Sequence, residues 1–415
     1  MSAAVAITGV GVVTPLGDAL GALHEALCRG ERAVSPIERF AADGLASALG
    51  AEIAGFDPAR YLGEGRNYRP LDRNGRLTAA AAELALADGG WDEAGRARAA
   101  VGLVLGTMFG SVHTISEFDV RALKAGPNYV KPLDFANSVI NAPAGQSAIW
   151  HGLRGVNTTI AGGPAAGLQA LAYAADRIAA GRAETVLAGG SDELCFESFL
   201  GFARAGRTAG ASGRQARPVP FDARRDGFAL GEGATLLVLE SAEGARRRGA
   251  RILGALAGHG AAFDPSRRRD PASAARAVER AVLAALADAG LAAADLAFAS
   301  LSADGSVDGD VAEARGVAAA LGAAAYALPV TAVKSMLGEP LGAGGALQAA
   351  AALATFGDGR LPGIAGLEET DPEVPLGGVA AATREVRRGP ALLTALDFDG
   401  NAFAVVLVPG EGPKG

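Results

Sequence analysis

The stretch PVPFDARRDGFALGEGATLLVLE, residues 218–240, packs three short clusters into a fixed order: Pro-Phe-Asp, Arg-Asp-Gly-Phe and Gly-Glu-Gly-Ala. Its end runs on as GATLLVLES (233–241), a short apolar run bounded by turn residues. Such runs do not alternate polar and apolar residues, so they read as strands covered on both faces. Working outward, VAITGVGVV near the N-terminus, RAAVGLVLGT, TVLAGGSDE and the run Val156 to Ile160 have the same character. GALHEALCRG has helical spacing. After AEGARRRGA the pattern restarts: RILGALAGHG reads as a strand, DPASAARAVERAVLAALADAG as a long amphipathic helix, and LAFASLSADGS as a strand running into a loop.

Strands alternating with alanine-rich helices give an α/β fold. An echo ties the two parts together. GGPAAGLQALAYAADRIAAG and LGAGGALQAAAALATFGDG are both glycine-rich turns opening a helix that carries Leu-Gln-Ala, with Gln169 and Gln348 in like places. Duplication is the favoured reading. It places one half at 1–250 and the other at 251–415, and with no Pro/Ser linker between them the halves are expected to pack as one body.

Composition bounds the function. The chain has 415 residues, half of them apolar and a fifth charged, so it can bury a large core. A net charge of −7 argues against nucleic acid or an anionic membrane surface as the main partner. Cys28 and Cys195 are the only cysteines and have neither metal-binding nor redox spacing. A reducing cytoplasm is the expected setting. The N-terminus lacks the basic region of a signal peptide, and no uncharged run is long enough to span a bilayer.

The turn 160–171, IAGGPAAGLQAL, joins an apolar run to a helix. A helix N-terminus offers free N–H groups, which makes such a turn a good mount for a nucleophile. Yet it carries Pro164 and no Cys, Ser or Lys. Proline suits the first helical position, where its missing N–H is not needed.

The order of these motifs resembles the β-ketoacyl synthases of the thiolase-like fold. The matching pieces are VAITGVGVVTPLG (5–17), FANSVINAPAGQSAIWHGLRG (135–155), GRAETVLAGGSDE (181–193), the opening stretch, and AVKSMLGEPLGAGGA (332–346). The resemblance implies two duplicated α/β halves packed as a five-layered αβαβα body. It also implies a Cys nucleophile and two histidines in an active member, with no cofactor and no metal. Carried over, the nucleophile falls on Pro164 and the histidines on Asp304 (in SADGS) and Glu339 (in KSMLGEP). Lys334 is retained, and Phe398 is kept in the altered segment LDFDGN.

Proline has no thiol to attack a thioester. It also lacks the amide that the resemblance assigns to the oxyanion hole, a loss of about 10²–10³ in rate. Asp304 and Glu339 would repel a malonyl carboxylate, and a carboxylate here is expected to pair with Lys334. Cys195 reads as a small buried hydrophobe. His24, His113, His151 and His259 match none of the expected positions.

One branch of this family has lost its nucleophile: the chain length factors of type II polyketide synthases. The chain is similar to that branch in HGLRG, PAAGLQAL and ADG…AEAR, while Pro164 and the retained Lys-Ser-Met depart from its best-known actinobacterial members. The resemblance implies a heterodimer with an active ketosynthase, a growing acyl chain in a shared tunnel, and an acyl carrier protein docking mainly on the ketosynthase. It places a tunnel gate at Ser111, Thr114 and Phe118, whose spacing of i, i+3 and i+7 puts them on one helix face. The basic runs Arg246–Arg248 and Arg267–Arg269 read as solvated surface. Two other readings stand beside this one: a divergent acyl- or ketoacyl-transferase using another nucleophile, and a self-associating pseudoenzyme that binds an acyl chain.

Overall fold

A computed structural model describes residues 5–42, 44–45, 47–266 and 271–410. Arg267–Arg269 lie outside the described residues. Ten strands form one sheet: β1 (Val5–Val13), β2 (Gly102–Thr107), β3 (Asn157–Ala161), β4 (Thr185–Asp192), β5 (Gly233–Ser241), β6 (Gly254–Phe263), β7 (Phe298–Ser300), β8 (Val330–Thr331), β9 (Ala391–Leu396) and β10 (Asn401–Pro409). Their spatial order is β8-β7-β9-β10-β6-β1-β5-β4-β2-β3.

This order contains the duplication. Numbered within each half, both sets of five strands run 3-2-4-5-1 from the outer edge inward. Both pair in parallel at the outer edge and antiparallel toward the middle. The halves join where β1 pairs antiparallel with β6, from Val5 opposite Leu256 to Ile7 opposite Gly254.

The main helices are α1 (Leu20–Cys28), α2 (Arg73–Asp88), α3 (Val112–Ala125), α4 (Ala142–His151), α5 (Ala166–Ala179), α6 (Phe196–Arg204), α7 (Pro271–Ala289), α8 (Val307–Leu321) and α9 (Gly344–Asp358). Helices α5 and α9 form the middle layer, packing against strands of both halves, while α2 with α4 and α7 with α8 cover the outer faces. This is the expected five-layered thiolase-like arrangement. No helix among the described residues is long and apolar enough to cross a membrane.

Glycines on the first strand of each half set the outer packing. A Cβ on Gly11 would stand 2.0 Å from the Ala81 carbonyl oxygen of α2, and one on Gly260 would stand 2.2 Å from that of Ala281 in α7. Only glycine permits backbone this close, so each alanine-rich helix lies directly on its strand. In the middle layer the first turns of α5 and α9 meet in the same way: a Cβ on Gly167 would lie 2.6 Å from the Gly342 carbonyl oxygen. That crossing brings the turn before α5 and the segment before α9 into one place.

One region is not covered. Between Val112 and Ile140 only Asn137 is buried, and no residue of α3 is. Leu123 is 86 % exposed, and Tyr129, Leu133, Phe135 and Val139 also face outward. Strand β3 is one of the two outer strands of the sheet and, among the described residues, pairs only with β2.

Candidate functional site

Strand β3 ends at Ala161, and α5 begins at Ala166. Pro164 is buried between them. It is not the first residue of the helix, as the sequence suggested. Ala165 is the N-cap, and the Gly163 carbonyl accepts from the Ala166 N–H at 3.0 Å. Pro164 therefore occupies the second position of a tight turn, which its fixed φ favours for the same reason it favours a helix start. The turn is packed from the other side by the segment after β9. A Cβ on Gly163 would come within 2.9 Å of Asp397 Cβ.

Across the α5–α9 crossing stands a one-turn helix, Lys334–Leu337. Lys334 Nζ donates to Glu339 Oε2 at 2.6 Å, and both side chains are buried. Glu339 Oε1 accepts from the Leu341 N–H at 2.8 Å. Burial pushes Glu339 up to about 7 against the pull of Lys334. Burial alone would pull Lys334 down, but the Glu339 carboxylate, with Asp304 behind it, holds it above its ordinary value.

Asp304 is also buried but is engaged locally, its Oδ1 accepting from the Ser306 N–H at 2.8 Å and the Ser306 hydroxyl at 2.5 Å. Of the two carboxylates expected to compete for Lys334, Glu339 makes the contact. A cavity of about 20 Å³ is lined by Asp304, Ser306, Asp310, Glu313, Leu396 and Phe398. Asp310 is pushed up to about 7 by burial and by Asp304, despite Arg225 at 3.5 Å. The cavity lining is thus rich in acid, and the nearby Lys334 is engaged by Glu339.

Phe398 belongs to an aromatic cluster, its ring 5.2 Å from Phe202 and 5.7 Å from Phe228. Phe202 in turn meets Phe109, on the turn that leads into α3. That turn is held by Asp192. This buried carboxylate accepts from Thr107 Oγ1 and the Met108 N–H, both at 2.7 Å, from the Phe109 N–H at 3.1 Å and from the Gly342 N–H at 2.8 Å. Asp192 was not singled out from the sequence. Its position in AGGSDE, at the end of a buried strand, was the available signal.

The residues expected to gate a tunnel lie at the start and along the first two turns of α3. Ser111 is the N-cap of α3 and is fully buried. Thr114 and Phe118 are half-buried on the helix itself. Thr114 Oγ1 donates to Asp72 at 3.2 Å, and Phe118 packs on Phe135 with ring centroids 6.2 Å apart. The Ser111 carbonyl accepts from the Ile115 N–H at 3.0 Å, so its backbone continues into the helix.

Neither thiol is poised to react. Burial pushes Cys195 up to about 12, and it contacts Ser198 Oγ at 3.3 Å. Cys28 is raised by burial as well. The histidines have ordinary partners: His24 contacts Asp358, His113 Glu197, His151 the Ala79 carbonyl and Glu83, and His259 Asp176. Arg246–Arg248 are exposed, as expected, although Arg248 also pairs with buried Glu240 at 2.5 Å and lies over Trp91. Gln348 is buried and donates to the Ser300 and Thr394 carbonyls, whereas Gln169 is half-buried beside Gly162, so the two glutamines differ in environment.

The beta-ketoacyl synthase N-terminal domain family matches residues 2–245, and the C-terminal domain family matches 253–368. The chain belongs to the β-ketoacyl synthase family. It is 30 % identical to 3-oxoacyl-[acyl-carrier-protein] synthase 2 of Synechocystis sp., over 96 % of each chain. It is 31 % identical to the tetracenomycin polyketide synthase ketoacyl synthase alpha subunit of Streptomyces glaucescens, over 97 % of this chain and 96 % of that one. The solved structure of the ishigamide ketosynthase/chain length factor superposes with a TM-score of 0.90 at 29 % identity, covering 99 % of this chain and 100 % of that one. The relatives thus include a 3-oxoacyl-[acyl-carrier-protein] synthase and a ketoacyl synthase subunit of a polyketide synthase. Within that family fold, the strand-to-helix turn of this chain presents no side chain able to form a thioester.

Proposed function

We propose that this chain is a non-catalytic chain length factor that pairs with a cysteine-bearing ketosynthase in the cytoplasm. In this reading Pro164, Asp304 and Glu339 stand where an active synthase has its cysteine and two histidines, and 1–250 and 251–415 are its two halves. The observation that carries the reading is the buried Lys334–Glu339 pair beside Asp304. Decarboxylating a malonyl group requires stabilising a developing enolate. Here acids surround the site, and the one lysine is engaged by a carboxylate 2.6 Å away.

The uncovered segment Val112–Ile140 and the outer strand β3 support a partner. An exposed strand edge and the outward-facing Leu123, Tyr129 and Phe135 are surfaces that association would bury. Helix α3 belongs to that surface, so a tunnel walled by Ser111, Thr114 and Phe118 would lie at the join and hold the growing acyl chain. Acyl carrier protein would then dock mainly on the ketosynthase. The likeness to a ketosynthase/chain length factor structure points the same way.

A divergent transferase would need another nucleophile, and Cys195 is too buried and too weakly acidic to serve. A self-paired acyl-binding protein would use the same uncovered surface. Co-expression with a cysteine-bearing ketosynthase separates these readings. A one-to-one heterodimer that extends malonyl units, with this chain inactive alone, is the expected result. Acylation of this chain alone by a thioester would overturn it.

A further inference from the structure

Both ends of the uncovered segment Val112–Ile140 meet the turn at the end of β2. Gly110 leads through Ser111 into α3, and a Cβ on Gly110 would stand 2.8 Å from the Ile140 carbonyl oxygen. The position of this turn therefore decides where the segment starts and where it returns.

The turn is wound around one buried carboxylate. Asp192 Oδ1 accepts from the Thr107 hydroxyl and the Phe109 N–H, and Oδ2 accepts from the Met108 N–H and the Gly342 N–H. Thr107 Oγ1 in turn accepts from the Gly110 N–H at 3.0 Å. Burial pushes Asp192 up to about 6, which leaves it ionised at neutral pH. Bonds from neutral donors to a charged acceptor are roughly twice as strong as those between neutral groups.

The Gly342 donor comes from a strained segment. Leu341 is fully buried with a φ of 52°, a conformation that an L side chain rarely adopts. Its own N–H is held by Glu339 Oε1, and the next N–H, of Gly342, is held by Asp192. A Cβ on Gly342 would stand 2.5 Å from Thr107 Cα, so only glycine lets this N–H reach the carboxylate. Leu341 also belongs to an apolar cluster with Phe202 and Phe228, against which Met108 and Phe109 pack. Polar and apolar contacts thus join the same two segments.

We propose that Asp192 is a positioning residue: it latches the turn before α3 to the segment before α9, and so fixes the surface that Val112–Ile140 offers to a partner chain. The latch itself is a property of this chain, while its consequence for assembly rests on the reading of the chain as a ketosynthase-bound subunit. Asp192→Asn keeps the volume but puts an NH2 group where one oxygen stood. In either orientation that group opposes a backbone N–H of the turn, that of Met108 or that of Phe109.

The test combines hydrogen exchange of the isolated chain, read by mass spectrometry, with sedimentation of the mixed chains. Asp192→Asn is expected to speed exchange about tenfold in peptides covering 107–125 and to weaken heterodimer formation about tenfold. Val317→Ala, which opens a cavity in the core between α7 and α8, is the control for general destabilisation and should do neither. Should Asp192→Asn fail to fold, Thr107→Val removes one donor to Asp192 and the acceptor of the Gly110 N–H, and should give the same local rise, about threefold. Unchanged exchange at 107–125, or a rise spread evenly over the chain, overturns the latch. A local rise with unchanged affinity overturns its role in assembly. A wild-type pair that forms no heterodimer overturns the ketosynthase-bound reading, and the exchange measurement still decides the latch.

Discussion

Lys334 Nζ and Glu339 Oε2 lie 2.6 Å apart with both side chains buried, a contact between neighbouring segments just ahead of α9. Breaking it from one side strands a charge. Glu339→Leu is expected to destabilise the fold by about 3–5 kcal/mol, whereas Lys334→Met with Glu339→Leu should recover most of that loss. Chemical denaturation of the two variants checks this. Equal losses would show that the pair contributes nothing as a pair.

Glu193 gives the fold a pH dependence of defined sign. Its folded-state value of about 8 is above its ordinary value of 4.5, so the folded chain keeps a proton that the unfolded chain releases. The stabilisation is complete below the ordinary value and is lost as pH rises through about 8. Asp192, pushed by burial to about 6, adds in the same direction over a narrower window. Glu193→Gln should therefore flatten the fall in unfolding free energy between pH 5.5 and about 8.5. Parallel curves for wild type and Glu193→Gln would remove Glu193 as the cause.

Ser111 is small and fully buried where α3 begins. Ser111→Phe would fill space beneath the helix at a cost of about 1–3 kcal/mol from overpacking. In the heterodimer it is expected to shorten the products. Unchanged chain length in a folded variant would take Ser111 out of the tunnel wall.

Leu123 and Phe135 point outward from the uncovered segment. Leu123→Asp and Phe135→Asp should change the stability of the isolated chain by about 0.5 kcal/mol or less. Each should weaken heterodimer formation by about 2 kcal/mol or more. Sedimentation of the mixed chains measures this, and unimpaired assembly would locate the interface elsewhere.

Much of the fold was legible because buried strands in a covered sheet advertise themselves as apolar runs between turns, as in GLVLGT and GATLLVLES. The duplication was visible in the Leu-Gln-Ala echo, yet a better marker went unread. Gly11 and Gly260 sit on the first strand of each half and admit an alanine-rich helix at backbone distance, which only coordinates reveal.

At the site, the sequence could say that a carboxylate would meet Lys334 but not which one. Ser306, two residues on, occupies Asp304 through its N–H and hydroxyl, leaving Glu339 for the lysine. Asp192 stayed hidden because its partners, the Thr107 hydroxyl and backbone N–H groups at positions 108, 109 and 342, are brought to it only by the fold. That Ser111 is the N-cap of α3 depended on where the helix begins, the feature spacing fixes least well.

The central claim is that this chain contributes structure and the partner contributes the nucleophile. Intact-mass analysis of the heterodimer after exposure to an acyl thioester of carrier protein tests it most directly. The acyl mass should appear on the ketosynthase alone, with this chain unmodified. An acyl group found covalently on this chain would contradict the account.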